Sequence, residues 1–149
     1  MEDDHIFKSH NKTLLVYHFV FRMKYRKGVL NEESGATLVN VCKKISARYE
    51  VEFIEIGYES DHVHFLVQSV PNMSVSEMVR TIKSIVAREL FRLHPGIKEK
   101  LWGGHFWTSG FYANTVGLYA GKEVIQKYVQ DQGKEKEYKK IHSGQLKLF

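Results

Sequence analysis

Val51-Glu52-Phe53-Ile54-Glu55-Ile56-Gly57-Tyr58, then Glu59-Ser60-Asp61, then His62-Val63-His64-Phe65-Leu66-Val67: this run decides the fold. Both outer pieces are rich in β-branched and aromatic residues, and a short polar turn separates them. They read as two strands paired antiparallel. Successive side chains on a strand point to opposite faces, so Val63, Phe65 and Val67 share one face while His62 and His64 share the other. The two imidazoles then project side by side, roughly 7 Å apart along the strand. Such a pair can grip one metal ion. With eight histidines in 149 residues, a His-x-His pair alone is a weak signal and needs a partner elsewhere in the chain.

Upstream, residues 1–11 read as a polar lead-in. Thr13 to Met23 is almost continuously apolar and β-prone, as a central strand covered on much of both faces would be. Lys24-Tyr25-Arg26-Lys27-Gly28 makes its basic exit. From Asn31 to Tyr49, Leu38, Val41, Cys42 and Ile45 recur at helical spacing and predict a first helix. Downstream, Pro71-Asn72-Met73 closes the histidine strand. Ser74 and Glu77 have capping-box spacing, and Val75, Met78, Val79, Ile82, Ile85, Val86 and Leu90 give the second helix its buried stripe, with a stop at His94-Pro95-Gly96. The aromatic, glycine-bearing stretch Leu101 to Gly117 predicts a structured loop feeding a fourth strand. A last helix carries Val124, Ile125, Tyr128 and Val129, and Gly133 can stop it. The order β-α-β-β-α-β predicts a ferredoxin-like (RRM-like) α+β fold: an antiparallel sheet, helices on one face, and a C-terminal helix bearing Tyr128. Residues 1–149 read as one domain, with 134–149 a basic C-terminal tail.

Composition narrows the partners. The chain is 43% hydrophobic and 26% charged, ordinary for a globular protein with a proper core. Its formal charge of +5 favours a polyanionic partner, and 13% aromatic residues suit single-stranded nucleic acid, whose bases stack on rings while Lys and Arg follow the backbone. Cys42, the single cysteine, excludes a disulfide framework and a thiolate metal cluster. The acidic start, Met1-Glu2-Asp3-Asp4, is unlike a signal peptide, and the longest apolar run, Leu14 to Phe21, is too short to span a membrane as a helix. The expectation is a cytoplasmic, DNA-associated protein without a membrane partner.

The last helix supplies the histidine pair's missing partner. Tyr128 and Gln132 are four residues apart and so lie one turn from each other on one helix face. His62, His64 and Gln132 together offer two imidazoles and an amide oxygen. That set suits Mg or Mn with open positions for water and a substrate oxygen better than a closed zinc site. Tyr128 is then placed to act as a nucleophile. A phenol with pKa near 10 needs activation by a cation or base, and a covalent tyrosine link conserves the phosphodiester energy for rejoining.

These motifs carry a family resemblance over nearly the whole chain. The sequence resembles the single-tyrosine HUH transposases, the TnpA proteins of the IS-two-hundred-like bacterial insertion sequences. The shared elements are Tyr17-His18-Phe19-Val20-Phe21 through Lys24-Tyr25-Arg26, Asp61-His62-Val63-His64-Phe65-Leu66-Val67, Leu101-Trp102-Gly103-Gly104-His105-Phe106-Trp107 with Gly110-Phe111-Tyr112 and Thr115-Val116-Gly117, and Tyr128-Val129-Gln130-Asp131-Gln132. His105 and Asp131 depart from the residues usual at their positions. The resemblance implies cleavage of single-stranded DNA at insertion-sequence ends, a 5′-phosphotyrosine on Tyr128, recognition of subterminal hairpins, and strand rejoining. It also implies a homodimer whose subunits share active sites, with Gly117 and Gly121 as hinges of the tyrosine helix.

Arg22, Lys24, Arg26 and Lys27 are the candidate DNA contacts, while His18 reads as a satisfied strand histidine whose place beside the basic exit permits DNA contact. Arg80, Lys83, Arg88 and Arg92 read as a solvated helix face that could meet phosphate. Three rival readings remain: a non-catalytic hairpin-binding module, a related single-tyrosine enzyme acting on dispersed chromosomal hairpins, and a metal-dependent hydrolase that uses water. Loss of Tyr128 separates the first and third from strand transfer.

Overall fold

The computed structural model describes residues 4–26, 28–101, 104–117 and 139–141. Its main sheet is antiparallel throughout. Strand β3 (Leu15–Arg22) and strand β5 (His62–Ser69) lie at the centre, flanked by β4 (Val51–Tyr58) and β6 (Tyr112–Val116). A short β7 (Lys139–Ile141) pairs with the outer side of β4, giving the order β6-β3-β5-β4-β7. Helix α1 (Glu32–Arg48) joins β3 to β4, and α2 (Val75–Leu93) with the short α3 (Pro95–Lys100) joins β5 to β6. That is the β-α-β-β-α-β order predicted above.

Both long helices start where the sequence says they should. Asn31 caps α1: its Oδ1 accepts from Ser34 N and its own N–H donates to Ser34 Oγ, both at 3.0 Å. Ser74 and Glu77 make the reciprocal pair at the start of α2. Each cap satisfies backbone N–H groups that would otherwise lack partners. Three features depart from expectation. Residues 6–13 are more than a lead-in, because β1 (Ile6–Phe7) and β2 (Lys12–Thr13) form a separate antiparallel pair. Pro95 ends α2 and also opens α3, as a residue with fixed φ and no N–H does well at a first helical position. Finally, the basic tail contributes β7.

One irregularity sorts the side chains of β4. Phe53 lies opposite Val67 and Glu55 opposite Leu66, so Ile54 is an extra residue and the register shifts. No strict alternation fits Val51 to Tyr58. With the bulge, Phe53, Ile56 and Tyr58 fall opposite Val67, Phe65 and Val63, while Glu52, Glu55 and Gly57 fall opposite Gln68, Leu66 and His64. The sheet therefore has an apolar face and a polar one.

The apolar face carries the core. Phe19, Phe21, Phe53 and Phe65 are fully buried there, with Phe65 edge-on to both Phe21 and Phe53. Helices α1 and α2 pack on it. Gly35 of α1 sits so close to Tyr58 that a methyl group would overlap its ring and hydroxyl, and Lys83 of α2 lies over the Phe21 ring. Gly35 thus costs α1 some helix propensity and lets the helix backbone approach the sheet. The polar face is buried as well: His18, Glu55, Glu59, His62, His64 and Gln68 are all shielded from solvent. Among the described residues, no helix is long and apolar enough to cross a membrane.

Candidate functional site at the histidine strand

The site begins at the turn between β4 and β5. Glu59-Ser60-Asp61 is held by main-chain bonds from several directions. Ser60 O accepts from Val29 N (2.9 Å) and Leu30 N (3.1 Å), Asp61 O accepts from Met23 N (2.9 Å), and Glu59 N donates to His62 O (2.9 Å). Gly28 leaves little spare room beside Ser60, since a Cβ there would lie 3.1 Å from its Oγ. The turn is fixed by the exit of β3 and the approach to α1, and β5 starts from it.

His62 and His64 then project from the polar face as expected, their ring centroids 4.9 Å apart and their planes inclined by 72°. Each ring is held by partners. The Nδ1 of His62 lies 2.8 Å from Asp61 Oδ1, and its Nε2 lies 2.7 Å from Glu59 Oε2. His64 Nδ1 lies 3.3 Å from His18 Nε2, and His18 Nδ1 lies 3.2 Å from Asn114 Oδ1. Register explains these meetings: His18 is opposite Leu66 on β5 and Asn114 on β6, one step diagonally from His64. Gly57, directly opposite His64 on β4, adds no side chain beside it.

Burial sets the protonation of this cluster. It pushes the His64 imidazole down to about 3, and the neighbouring His62, His18 and Arg22 add to the effect by disfavouring another positive charge. Burial also lowers His18, partly offset by the Asn114 hydrogen bond. Both rings are therefore neutral at pH 7, the form in which an imidazole ligates a metal. Two imidazoles, one with its Nδ1 on a carboxylate, fit a divalent ion that accepts nitrogen and oxygen donors. Binding through His62 Nε2 requires its contact with Glu59 to open. Among the described residues, no group of three His, Cys, Asp or Glu could hold a metal ion. The third expected ligand, Gln132, lies outside them, as do the expected nucleophile Tyr128, the hinge residue Gly121 and the candidate DNA contact Lys27. Gly117 is described and exposed, with open space where a Cβ would stand.

The remaining candidates divide. Arg22 is exposed at the end of β3, opposite His62 in register. Lys24 and Arg26 lie in a 3-10 turn whose middle residue, Tyr25, has a positive φ of 59° and an exposed ring; Lys24 Nζ is 5.4 Å from that ring's centroid. Lys83 is not a solvated charge on α2. Its Nζ donates to Thr108 O (2.8 Å) and Gly110 O (2.7 Å), and Trp107 Nε1 donates to Lys83 O (3.0 Å), so α2 is stapled to the loop before β6. Arg92 is exposed as expected, and pairs with Glu89 on its own helix. Sequence reading missed Glu59, Asp61 and Asn114. Asp61 and Glu59 had a signal in their position just ahead of the histidine pair, whereas Asn114 had none.

A ferredoxin-like antiparallel sheet, with helices on one face and a His-x-His pair on the other face of a central strand, defines the HUH class. Comparison with known proteins narrows this. Residues 11–132 match the family model for IS200-like transposases. The chain is 35% identical over 118 residues to the ISDra2 transposase TnpA of Deinococcus radiodurans, covering 79% of this chain and 84% of that protein. It is 30% identical over 127 residues to the transposase for insertion sequence element IS200 of Salmonella typhimurium, covering 85% and 82%. A crystal structure of a Deinococcus radiodurans R1 protein assigned as a transposase superposes with a TM-score of 0.70 at 27% identity, over 85% of this chain and 97% of that one. A REP-associated tyrosine transposase bound to a REP hairpin shares the fold, with a TM-score of 0.60 at 10% identity over 87% and 74%. The chain belongs to the IS200-like transposase family.

Proposed function

We propose that this transposase cuts and rejoins single-stranded DNA at insertion-sequence ends, using Tyr128 as nucleophile and a Mg or Mn ion held by His62, His64 and Gln132. The observation that carries the reading is the pair of imidazoles on the polar face, adjacent, buried and fixed in orientation by Asp61 and His18. A pair positioned in this way needs little reorganisation to ligate. When bound, the ion supplies Lewis-acid polarisation of the scissile phosphate and stabilises the departing 3′ oxygen.

The chain's own residues supply the remainder. The Tyr128 oxygen attacks phosphorus and loses its proton, the bond from phosphorus to the 3′ oxygen breaks, and that oxygen leaves to be protonated as a 3′-OH. The 5′ phosphate stays on the tyrosine, and a 3′-OH attacking in the reverse sense reseals the strand. Arg22, Lys24, Arg26 and Lys27, at and beyond the end of β3, are positioned along the chain to follow DNA phosphates. Hairpin recognition draws support from the hairpin-bound structural neighbour. In this reading the working unit is a homodimer, with Gly117 and Gly121 letting the tyrosine helix serve either subunit's site.

The test uses a labelled single-stranded oligonucleotide carrying an end hairpin, with Mg or Mn, read on a denaturing gel. A DNA–protein adduct that requires metal, and disappears in both Tyr128→Phe and His64→Ala, is the expected result. Cleavage persisting in Tyr128→Phe would mean that water is the nucleophile. Binding without an adduct across several hairpins would favour the non-catalytic module.

A further inference from the structure

We propose that Asn114 and His18 are positioning residues that decide which nitrogen of His64 is presented at the site. The inference rests on reading His64 as an ion ligand, but its central claim concerns the metal-free protein. A neutral imidazole carries one proton on one of two nitrogens and can ligate only through the other. Which tautomer prevails at His64 follows from a chain of hydrogen bonds that starts two strands away.

The amide of Asn114 comes first. Its Nδ2 donates to Thr115 O at 3.1 Å, which leaves Oδ1 as the atom facing His18 Nδ1 at 3.2 Å. An amide oxygen only accepts, so the proton of neutral His18 is on Nδ1. His18 Nε2 is then an acceptor, and the atom it faces at 3.3 Å, His64 Nδ1, must donate. The ring planes agree: the two imidazoles are within 9° of parallel with centroids 5.5 Å apart, as expected for rings joined edge to edge through an N–H···N bond. His64 is thereby fixed as the Nδ1–H tautomer, and Nε2 is the nitrogen with a lone pair to offer. His62 is held differently, with Asp61 on its Nδ1 and Glu59 on its Nε2. Two different devices thus act on the pair: carboxylates on both nitrogens orient His62, and an Asn–His relay sets the tautomer of His64.

The strands supply this order for structural reasons. His18 is on β3 and Asn114 on β6, directly opposite each other, and β3 also pairs with the strand that carries His64. Strand register alone brings the three side chains into line.

Long-range nitrogen–proton correlation spectra of 15N-histidine-labelled, metal-free, full-length protein read each ring's tautomer directly. His64 is expected with its proton on Nδ1. In Asn114→Leu and in His18→Phe, a substantial Nε2–H fraction is expected, because the constraint on the donor is gone. Asn114 is only partly buried on an edge of the β3 side, so Asn114→Leu keeps the proposal testable should His18→Phe fail to fold. Calorimetric titration with Mn2+ should show roughly 10-fold weaker binding in either variant, the usual scale for losing a partner that orients a ligand. A His64 carrying its proton on Nε2 in the unsubstituted protein, or an unchanged His64 signal in both variants, would overturn the proposal. A correctly protonated His64 in a protein that binds no Mn2+ would instead sink the ion reading and leave the relay standing.

Discussion

The two faces of the central sheet are made by the same strands and are both buried, yet they are held by different physics. On the helix side, Phe19, Phe21, Phe53 and Phe65 gain stability by leaving water. On the other side, His18, His62, His64, Glu59 and Gln68 lose hydration and recover it through specific partners, including a 2.7 Å bond from Gln68 Nε2 to Asp4 O. The lesson is that burial alone does not separate structure from chemistry in this protein. Orientation along each strand does, one residue at a time.

Neighbouring residues on β5 give the strongest way to break this comparison. Phe65→Ala should cost about 3–5 kcal/mol of unfolding free energy, by loss of transfer energy and creation of a cavity. His64→Ala, one residue away on the opposite face, should cost about 1–2 kcal/mol while abolishing the DNA–protein adduct. Urea unfolding of the two variants side by side checks this; equal losses would erase the distinction between faces. Gly35→Ala should come next, destabilising by about 1–3 kcal/mol through overpacking against Tyr58, measurable as a lowered melting temperature. Were it silent, the close approach of α1 to the sheet would be wrong. Asp61→Asn should weaken Mn2+ binding about 10-fold with little change in unfolding midpoint, which sharpens the assignment of the polar face to function. The smallest effect should be Asn31→Ala, removing the α1 cap at about 1 kcal/mol and leaving metal affinity untouched.

Much of the fold could be read directly. The ends of β4, the cap at Ser74, and the orientation of His62 and His64 all follow from local pattern, because turn chemistry and side-chain alternation act within a few residues. The bulge at Ile54 could not be read, since it breaks the alternation on which strand reading depends. The β1–β2 pair is two residues per strand, too short for any pattern to show. At the site, the histidine pair was visible because its geometry lies within three residues. The relay was not: Asn114 and His18 are 96 positions apart, and only the pairing of β3 with β6 makes them neighbours. Lys83 gives a similar case, where helical spacing puts a charge outside and a distant loop then supplies two carbonyl acceptors.

The clamped turn at Glu59–Asp61 has a consequence for amide hydrogen exchange. The N–H groups of Met23, Val29 and Leu30 end on the carbonyls of Ser60 and Asp61, and the Glu59 N–H closes onto His62 O. Such protons exchange with deuterium only when the bonds open, at a rate set by the free energy of that opening. Four backbone amides, drawn from the exit of β3, the approach to α1 and the turn itself, therefore keep a clock on the platform from which the histidine strand departs. Their slowing or quickening can be followed in a chain that has no DNA, no ion and no nucleophile.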